Sequence, residues 1–156
     1  MSADVAAHYA AVIGLLTGSA TFPSSETFPA ELIYPVSGAV IQVYTGVVPD
    51  APVYPYVVIW GGTGTEDSEA LSDDPTTFTL PVYATYAGLS FDSVAITIRG
   101  VRSVLNRARP VVAGRVTSRM VQSARQPIQA DLAISIPGVG HPFYAVDQYD
   151  LISDPA

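Results

Sequence analysis

Residues 77–86 read TFTLPVYATY, and this stretch decides the fold. Apolar side chains occupy alternate positions, namely Phe78, Leu80, Val82, Ala84 and Tyr86. Because successive side chains of a strand point to opposite faces, this period of two predicts a strand with one buried face. Pro81 has no amide hydrogen to donate to a neighbouring strand, so it predicts an edge position or a bulge.

An amphipathic helix is predicted directly downstream of this strand, from Phe91 to Leu105. Ser90 precedes it as a residue that can cap free amides, and Asp92 in the first turn suits the helix dipole. One apolar stripe advances along it by three and four residues: Phe91, Val94, Ile98, Val101 and Leu105. We expect this stripe to pack on the buried face of the strand at 77–86.

Further elements are predicted on both sides of this strand and helix. An N-terminal helix is predicted after Ser2 or Asp4, with its end at Gly18. Its expected core stripe is Val5, Tyr9, Val12, Ile13 and Leu16. A Pro- and Ser-rich connection follows at 19–38 and an acidic loop lies at 61–75. Apolar or alternating runs predict further strands at 39–48, 54–60, 111–116, 117–125, 128–136 and 143–151.

Strands grouped around two helices predict an α+β fold. The sheet is expected to be mostly antiparallel, with the N-terminal helix and the second amphipathic helix packed on it. A chain of 156 residues fits one compact domain, so we assign 1–156 to a single domain. Charged residues make up 13% of the chain, against about 25% in typical globular proteins. A surface so poor in charge predicts extensive contact with other protein.

The charges are unevenly placed along the chain. There is no lysine, and all seven arginines lie between 99 and 125, a stretch without acids. Residues 1–98 hold ten acids and no base, and the net charge is −7. Such an acidic chain is a poor general binder of nucleic acid or of anionic membranes. No stretch is apolar enough for a membrane span and no basic leader precedes an apolar run, so we expect neither a membrane anchor nor a signal peptide.

Few residues of the sequence suggest catalysis or a cofactor. Cysteine is absent, which excludes disulfides, thiolate metal sites and cysteine nucleophiles. The two histidines, His8 and His141, lack metal-ligand spacing, and we interpret them as a half-buried packing residue and a loop residue. The glycine-rich 61–65 lacks the lysine of a phosphate-binding loop, and the acids after it do not match an EF-hand. We therefore expect no cofactor, no metal site and no enzymatic activity.

Several short motifs carry a family resemblance. They are Pro55-Tyr56-Val57-Val58-Ile59, the alternating strand at 77–86, the helix entry Gly88-Leu89-Ser90, the segment Arg102 to Asn106, Arg109-Pro110, and the closing Tyr144, Asp147 and Tyr149. With the order of elements, they cover roughly residues 2–152. In these features the chain resembles the tail terminator proteins of long, non-contractile-tailed bacteriophages, which are also called tail-completion or head-to-tail connector proteins.

The resemblance implies a structural virion protein without catalysis or a cofactor. It implies a homo-oligomeric ring, typically of six subunits, at the head-tail junction of the phage tail, assembled in the host cytoplasm. One face of the ring would meet the tail tube protein and the other the head-completion (stopper) protein. DNA would pass through the lumen without specific binding.

Two sets of residues are candidates for these contacts. For the subunit interface, the arginine block and one apolar residue opposite the helix stripe suggest Ile96, Arg99, Arg102, Arg115 and Arg119. For an axial or lumenal loop, the acidic segment suggests Glu66, Asp67, Glu69, Asp73 and Asp74. The same arginines and acids also fit ion pairs within one subunit and a solvated loop, respectively.

Two other classes of function stay open from the sequence. One is another phage neck protein or a tail-tube subunit. The other is a small ligand-binding or enzymatic domain, which a deep pocket with converging polar groups would favour.

Overall fold

The computed structural model describes residues 3–17, 40–67 and 77–156. These residues form two helices, α1 (Val5–Thr17) and α2 (Phe91–Leu105). They also form eight strands of one sheet: β1 (Gln42–Thr45), β2 (Tyr56–Gly61), β3 (Thr65–Asp67), β4 (Thr77–Gly88), β5 (Arg115–Thr117), β6 (Val121–Arg125), β7 (Gln129–Ala130) and β8 (Phe143–Pro155). Every pairing between these strands is antiparallel except β1 with β2. The predicted α+β fold is confirmed.

The two longest strands form the centre of the sheet. β4 pairs with β8 over eleven registered positions, from Phe78 opposite Ser153 to Gly88 opposite Phe143. The other edge of β4 is shared by β2 and β3, and β1 lies beyond β2. The other edge of β8 is shared by β5, β6 and β7. The segments around the two ends of the sheet therefore come from different parts of the chain.

The predicted alternation in β4 is confirmed. Phe78, Leu80 and Val82 are buried, whereas the residues between them are half-buried. Pro81 lies within the strand rather than at the edge of the sheet. On one side of Pro81 along β4, Thr79 pairs with Thr65 of β3; on the other side, Val82 pairs with Gly61 of β2. Pro81 therefore faces the break between β2 and β3. A residue without an amide hydrogen is tolerated where the ladder is already interrupted.

Both helices pack on the face of the sheet that carries the buried side chains of β4. The core between the layers is apolar and includes Val12, Leu16, Val57, Ile59, Leu80, Val94, Val101, Leu105 and Leu151. The predicted caps are present: the Asp4 carboxylate accepts from the Ala7 amide at 3.1 Å, and Ser90 Oγ accepts from the Ser93 amide at 3.1 Å. These caps satisfy amides of the first turn, which have no partner inside a helix.

The buried faces of the helices differ from the predicted stripes. In α2, Phe91 is 54% exposed, whereas Thr97 and Val104 are buried. Thr97 is tolerated there because its hydroxyl donates to the Ser93 carbonyl at 2.9 Å. In α1, the buried residues are His8, Val12, Gly14, Leu15 and Leu16. The predicted end at Gly18 and the connection at 19–38 lie outside the described residues.

The strand predicted at 128–136 is wrong over most of its length. Only Gln129 and Ala130 pair with β8, and the chain then turns, with the Asp131 carboxylate accepting from the Ala133 amide at 3.1 Å. Such an aspartate turn competes with strand pairing. Leu132 and Ile134 of the predicted buried face are 75% and 44% exposed.

The predicted acidic loop contains a strand. β3 pairs with β4 through Thr65, Glu66 and Asp67, and residues 68–75 of the predicted loop lie outside the described residues. Gly64 precedes β3 with a φ of +76°, and a Cβ there would overlap the ring of Phe78. Glycine is required at this turn for both reasons.

Candidate functional site

A buried carboxylate organises the polar interior of the fold. Asp147 of β8 is 1% exposed. Its oxygens accept from the Tyr86 hydroxyl at 2.7 Å, from Arg102 Nε and Nη2 at 2.8 Å each, and from Gln122 Nε2 at 3.1 Å. These donors come from β4, α2 and β6, so a single side chain joins both layers and the outer strand. Burying a charge is costly unless it is paired, and the two parallel arginine bonds supply that pairing.

The electrostatics of this cluster favour fixed protonation states. Hydrogen bonding to Asp147 raises the pKa of Arg102, and burial opposes this in part. Burial, the neighbouring Tyr149 and Asp147 raise the pKa of Tyr86 well above its ordinary value. Burial likewise raises the pKa of Tyr149 to about 12. Both tyrosines therefore keep their protons above the pH at which an exposed tyrosine loses its own, and the hydrogen bonds of the cluster hold β4, α2, β6 and β8 together.

A second buried polar chain links the first helix to the end of β8. His8 Nε2 lies 2.8 Å from Ser153 Oγ, and His8 Nδ1 lies 2.6 Å from the Asp4 carbonyl oxygen. Arg115 donates to the same serine, from Nε to Oγ and from Nη2 to the carbonyl oxygen, at 2.7 Å each. Because a carbonyl oxygen can only accept, His8 Nδ1 is the donor in its bond to Asp4.

This serine and histidine are paired as in a hydrolytic dyad, but a substrate cannot reach them. Both residues are 0% exposed, and Arg115 occupies the remaining side of the serine oxygen. No substrate carbonyl can approach the hydroxyl. His8 is fully buried rather than half-buried as predicted. Its spacing of four residues from Val12 and seven from Leu15 places it on the core face of the helix.

The structure divides the five residues predicted for the interface. Arg102 and Arg115 direct their guanidinium groups to Asp147 and Ser153 of their own chain. Arg119 Nη1 donates to the Arg107 carbonyl at 3.1 Å, Arg99 is exposed on α2, and Ile96 is half-buried. The sequence could not reveal this division because Asp147 and Ser153 are distant from their arginines along the chain.

The acids predicted for an axial loop are only partly described. Glu66 is exposed on β3, and its carboxylate accepts from the Ala3 amide, which ties β3 to the start of α1. Asp67 is exposed at the end of β3. Glu69, Asp73 and Asp74 lie outside the described residues.

An open groove lies between α2 and the connection from β6 to β7. Its volume is about 610 Å³, and its lining residues are Ala95, Ile98, Arg99, Arg102, Ser103, Gln126, Pro127 and Ile128. Both charged residues of the lining are arginines. The groove therefore combines apolar surface with positive charge.

The opposite face of the sheet carries an uncharged aromatic pair. The rings of Trp60 and Tyr83 stack with centroids 4.5 Å apart and planes 17° apart. Trp60 Nε1 donates to Thr85 Oγ1 at 2.8 Å, and the side chain of Trp60 is 41% exposed. A small apolar cluster of Tyr56, Val58 and Ala87 adjoins them on the same face. An aromatic pair held in one orientation suits contact with another protein.

The sheet separates opposite charges to its two sides. We call α2, β5, β6 and their connections the cationic side; it carries all seven arginines, five of them exposed: Arg99, Arg107, Arg109, Arg119 and Arg125. The exposed acid of this side is Asp92, in the first turn of α2. We call α1, β1, β2 and β3 with the described connections the acidic side; it carries the exposed Asp4, Asp50, Glu66 and Asp67 and no arginine. β4 and β8 lie between the two. Of the three aspartates of β8, Asp147 is buried and Asp150 is half-buried. The exposed Asp154 lies opposite Val116 of β5 and accepts from Thr77 of β4 at 2.7 Å.

The described residues contain no group of three or more His, Asp or Glu side chains that could hold a metal ion. Over the same residues, neither helix is both long and apolar enough to cross a lipid bilayer.

No protein-family profile matches the sequence, and no curated protein matches it in sequence. Among solved structures, a chain from the virion of a native gene transfer agent particle aligns with 14% sequence identity and a TM-score of 0.47. The alignment covers 74% of this chain and 79% of that chain. At this level of similarity, the functional interpretation depends on the surfaces of the chain itself.

Proposed function

We propose that this protein is a structural virion subunit that assembles head-to-tail into a ring. The observation that carries the proposal is the separation of charge across the sheet. The strands of the cationic side and those of the acidic side lie at opposite edges of one sheet, and α1 and α2 lie together on one face of it. The subunit therefore presents two unlike, complementary patches. Contacts between unlike patches form a ring when the rotation between neighbours closes.

The interior of the fold supports a structural role rather than a catalytic one. Its two polar clusters, around Asp147 and around Ser153, are buried, and their hydrogen bonds hold helices to strands. The open groove beside α2 is lined by two arginines, Ser103, Gln126 and apolar residues, without a base positioned beside a nucleophile.

The finer assignment is a tail terminator ring at the head-tail junction. It rests on the motif resemblance over residues 2–152, together with the confirmed order of the central strand and the helix after it. In this role, one face of the ring caps the tail tube and the other receives the head-completion protein. DNA passes through the lumen without specific binding, as the net charge of −7 favours.

Negative-stain images of the purified protein at low salt test this function. We expect uniform rings with a central hole and no tubes. Because exposed ion pairs contribute only about 0–1 kcal/mol each and are screened by salt, we expect sedimentation velocity to show dissociation as ionic strength rises. Adding the ring to a growing tail tube should stop its elongation.

Two results would favour the alternatives. Long tubes formed by the protein alone would assign it to the tail tube. A monomer at every protein and salt concentration would contradict ring assembly and favour a small binding domain.

A further inference from the structure

We infer that the groove between α2 and the β6–β7 connection receives a carboxylate-bearing segment from the acidic side of the next copy of this chain. The inference rests on the ring assembly proposed above. It names the place on the cationic side where neighbouring subunits meet.

The lining of the groove selects the chemistry of its occupant. Ala95, Ile98, Pro127 and Ile128 provide apolar surface, and Arg99 and Arg102 provide positive charge without an acid in the lining. A short segment with an apolar residue beside a carboxylate matches both features. Guanidinium groups bind carboxylates through parallel hydrogen bonds, which adds geometric selectivity to the attraction.

The two arginines differ in how they are held. Arg102 is fixed by two bonds to buried Asp147, yet its side chain is still 34% exposed. Arg99 precedes it by three residues, a spacing that places neighbours on one helix surface, and it is exposed. Within the described residues Arg99 has no acid within salt-bridge distance. The groove thus offers one anchored cation and one that is available to pair with an incoming carboxylate.

A second copy of the chain is the occupant that best matches this charge. The chain holds fourteen acids against seven bases, and the acidic side has exposed acids without an arginine of its own. Head-to-tail assembly brings the acidic side of one subunit against the cationic side of the next. A nucleic acid also carries negative charge, but the net charge of −7 repels it.

The absence of lysine allows a direct test. The variant Arg99→Lys keeps the positive charge and places the only side-chain amine of the protein in the groove. A carbodiimide joins an amine to a carboxylate in direct contact without adding a spacer. Rings assembled from a mixture of ¹⁵N-labelled and unlabelled protein distinguish links between copies from links within one copy. Arg109→Lys is the matched control, because Arg109 is exposed on the cationic side but does not line the groove.

For Arg99→Lys we expect covalent dimers and larger species, with mixed-isotope peptides that join residue 99 to an acid of residues 1–74. Arg109→Lys should give no more linkage than the wild type, whose N-terminal amine is shared by every variant. Rings that form normally but show only this background linkage at residue 99 would overturn the inference and leave the ring intact. Rings in which residue 99 is linked only to acids of 92–156 would do the same. A protein that never assembles would defeat the inference and the proposed function together. Binding of a labelled oligonucleotide that is lost in Arg99→Glu would assign the groove to nucleic acid instead.

Discussion

At the scale of single residues, the fold depends on polar side chains that the sequence pattern does not distinguish. Asp147 and Ser153 occupy the buried face of β8 among apolar neighbours. Each is satisfied by an arginine distant along the chain, Arg102 for Asp147 and Arg115 for Ser153. These long-range partners explain why arginines predicted for a subunit interface lie partly inside the subunit. Spacing rules compare residues that are close in the sequence, so they cannot identify such pairs.

The buried tyrosine at position 86 makes stability depend on alkaline pH. Its pKa is raised above the ordinary 10.0 by burial, so the folded protein keeps a proton that the unfolded chain loses above that pH. Stability should therefore fall as pH rises above about 10, by up to about 1.4 kcal/mol per pH unit for this residue.

Tyr86→Phe should lower stability at neutral pH by about 1–2 kcal/mol, because Asp147 loses a donor, and should reduce the alkaline slope. Urea unfolding between pH 8 and pH 11 measures both, with half-buried Tyr144→Phe as the control; an unchanged slope in Tyr86→Phe would contradict the assignment.

At the scale of elements, local patterns predicted the centre of the fold and failed at its edges. The alternation at 77–86 and the Ser90 cap define β4 and α2 because each pattern lies within one element. The alternation at 128–136 did not produce a long strand, because the turn at Asp131 takes the chain away from β8 after Ala130. Phe91 belongs to the predicted stripe by spacing, yet it is the first residue of α2 and is exposed. Which edge a segment pairs with depends on tertiary contacts.

The two ends of the predicted α2 stripe provide a matched pair of substitutions. Leu105→Asp should lower the free energy of unfolding by several kcal/mol, because Leu105 is 0% exposed and an unpaired carboxylate would be buried. Phe91→Asp should change it by less than about 1 kcal/mol, since Phe91 is largely exposed. Thermal and urea unfolding of both variants test this contrast. Equal losses in the two variants would show that the helix packs through a different face.

At the scale of the whole molecule, the central claim is that two unlike sides of the sheet meet between subunits. The sequence predicted the charge imbalance, because arginines and acids occupy separate stretches. It did not predict that the strand order would place those stretches at opposite ends of one sheet, since that depends on β4 and β8 pairing at the centre. The claim requires that the cationic sides of two subunits do not bind each other, and that two acidic sides do not bind each other.

Sedimentation velocity of two charge-reversed variants, alone and mixed, tests this claim most directly. Arg99→Glu with Arg125→Glu changes the charge of the cationic side by −4, and Asp50→Arg with Asp67→Arg changes the charge of the acidic side by +4. If unlike sides meet, each variant alone should remain monomeric at low salt, and the equimolar mixture should recover the sedimentation coefficient of the wild-type ring by alternating the two. Unchanged melting temperatures of the separate variants confirm that both are folded. Assembly of either variant alone, or no recovery in the mixture while the wild type forms rings, would contradict the account.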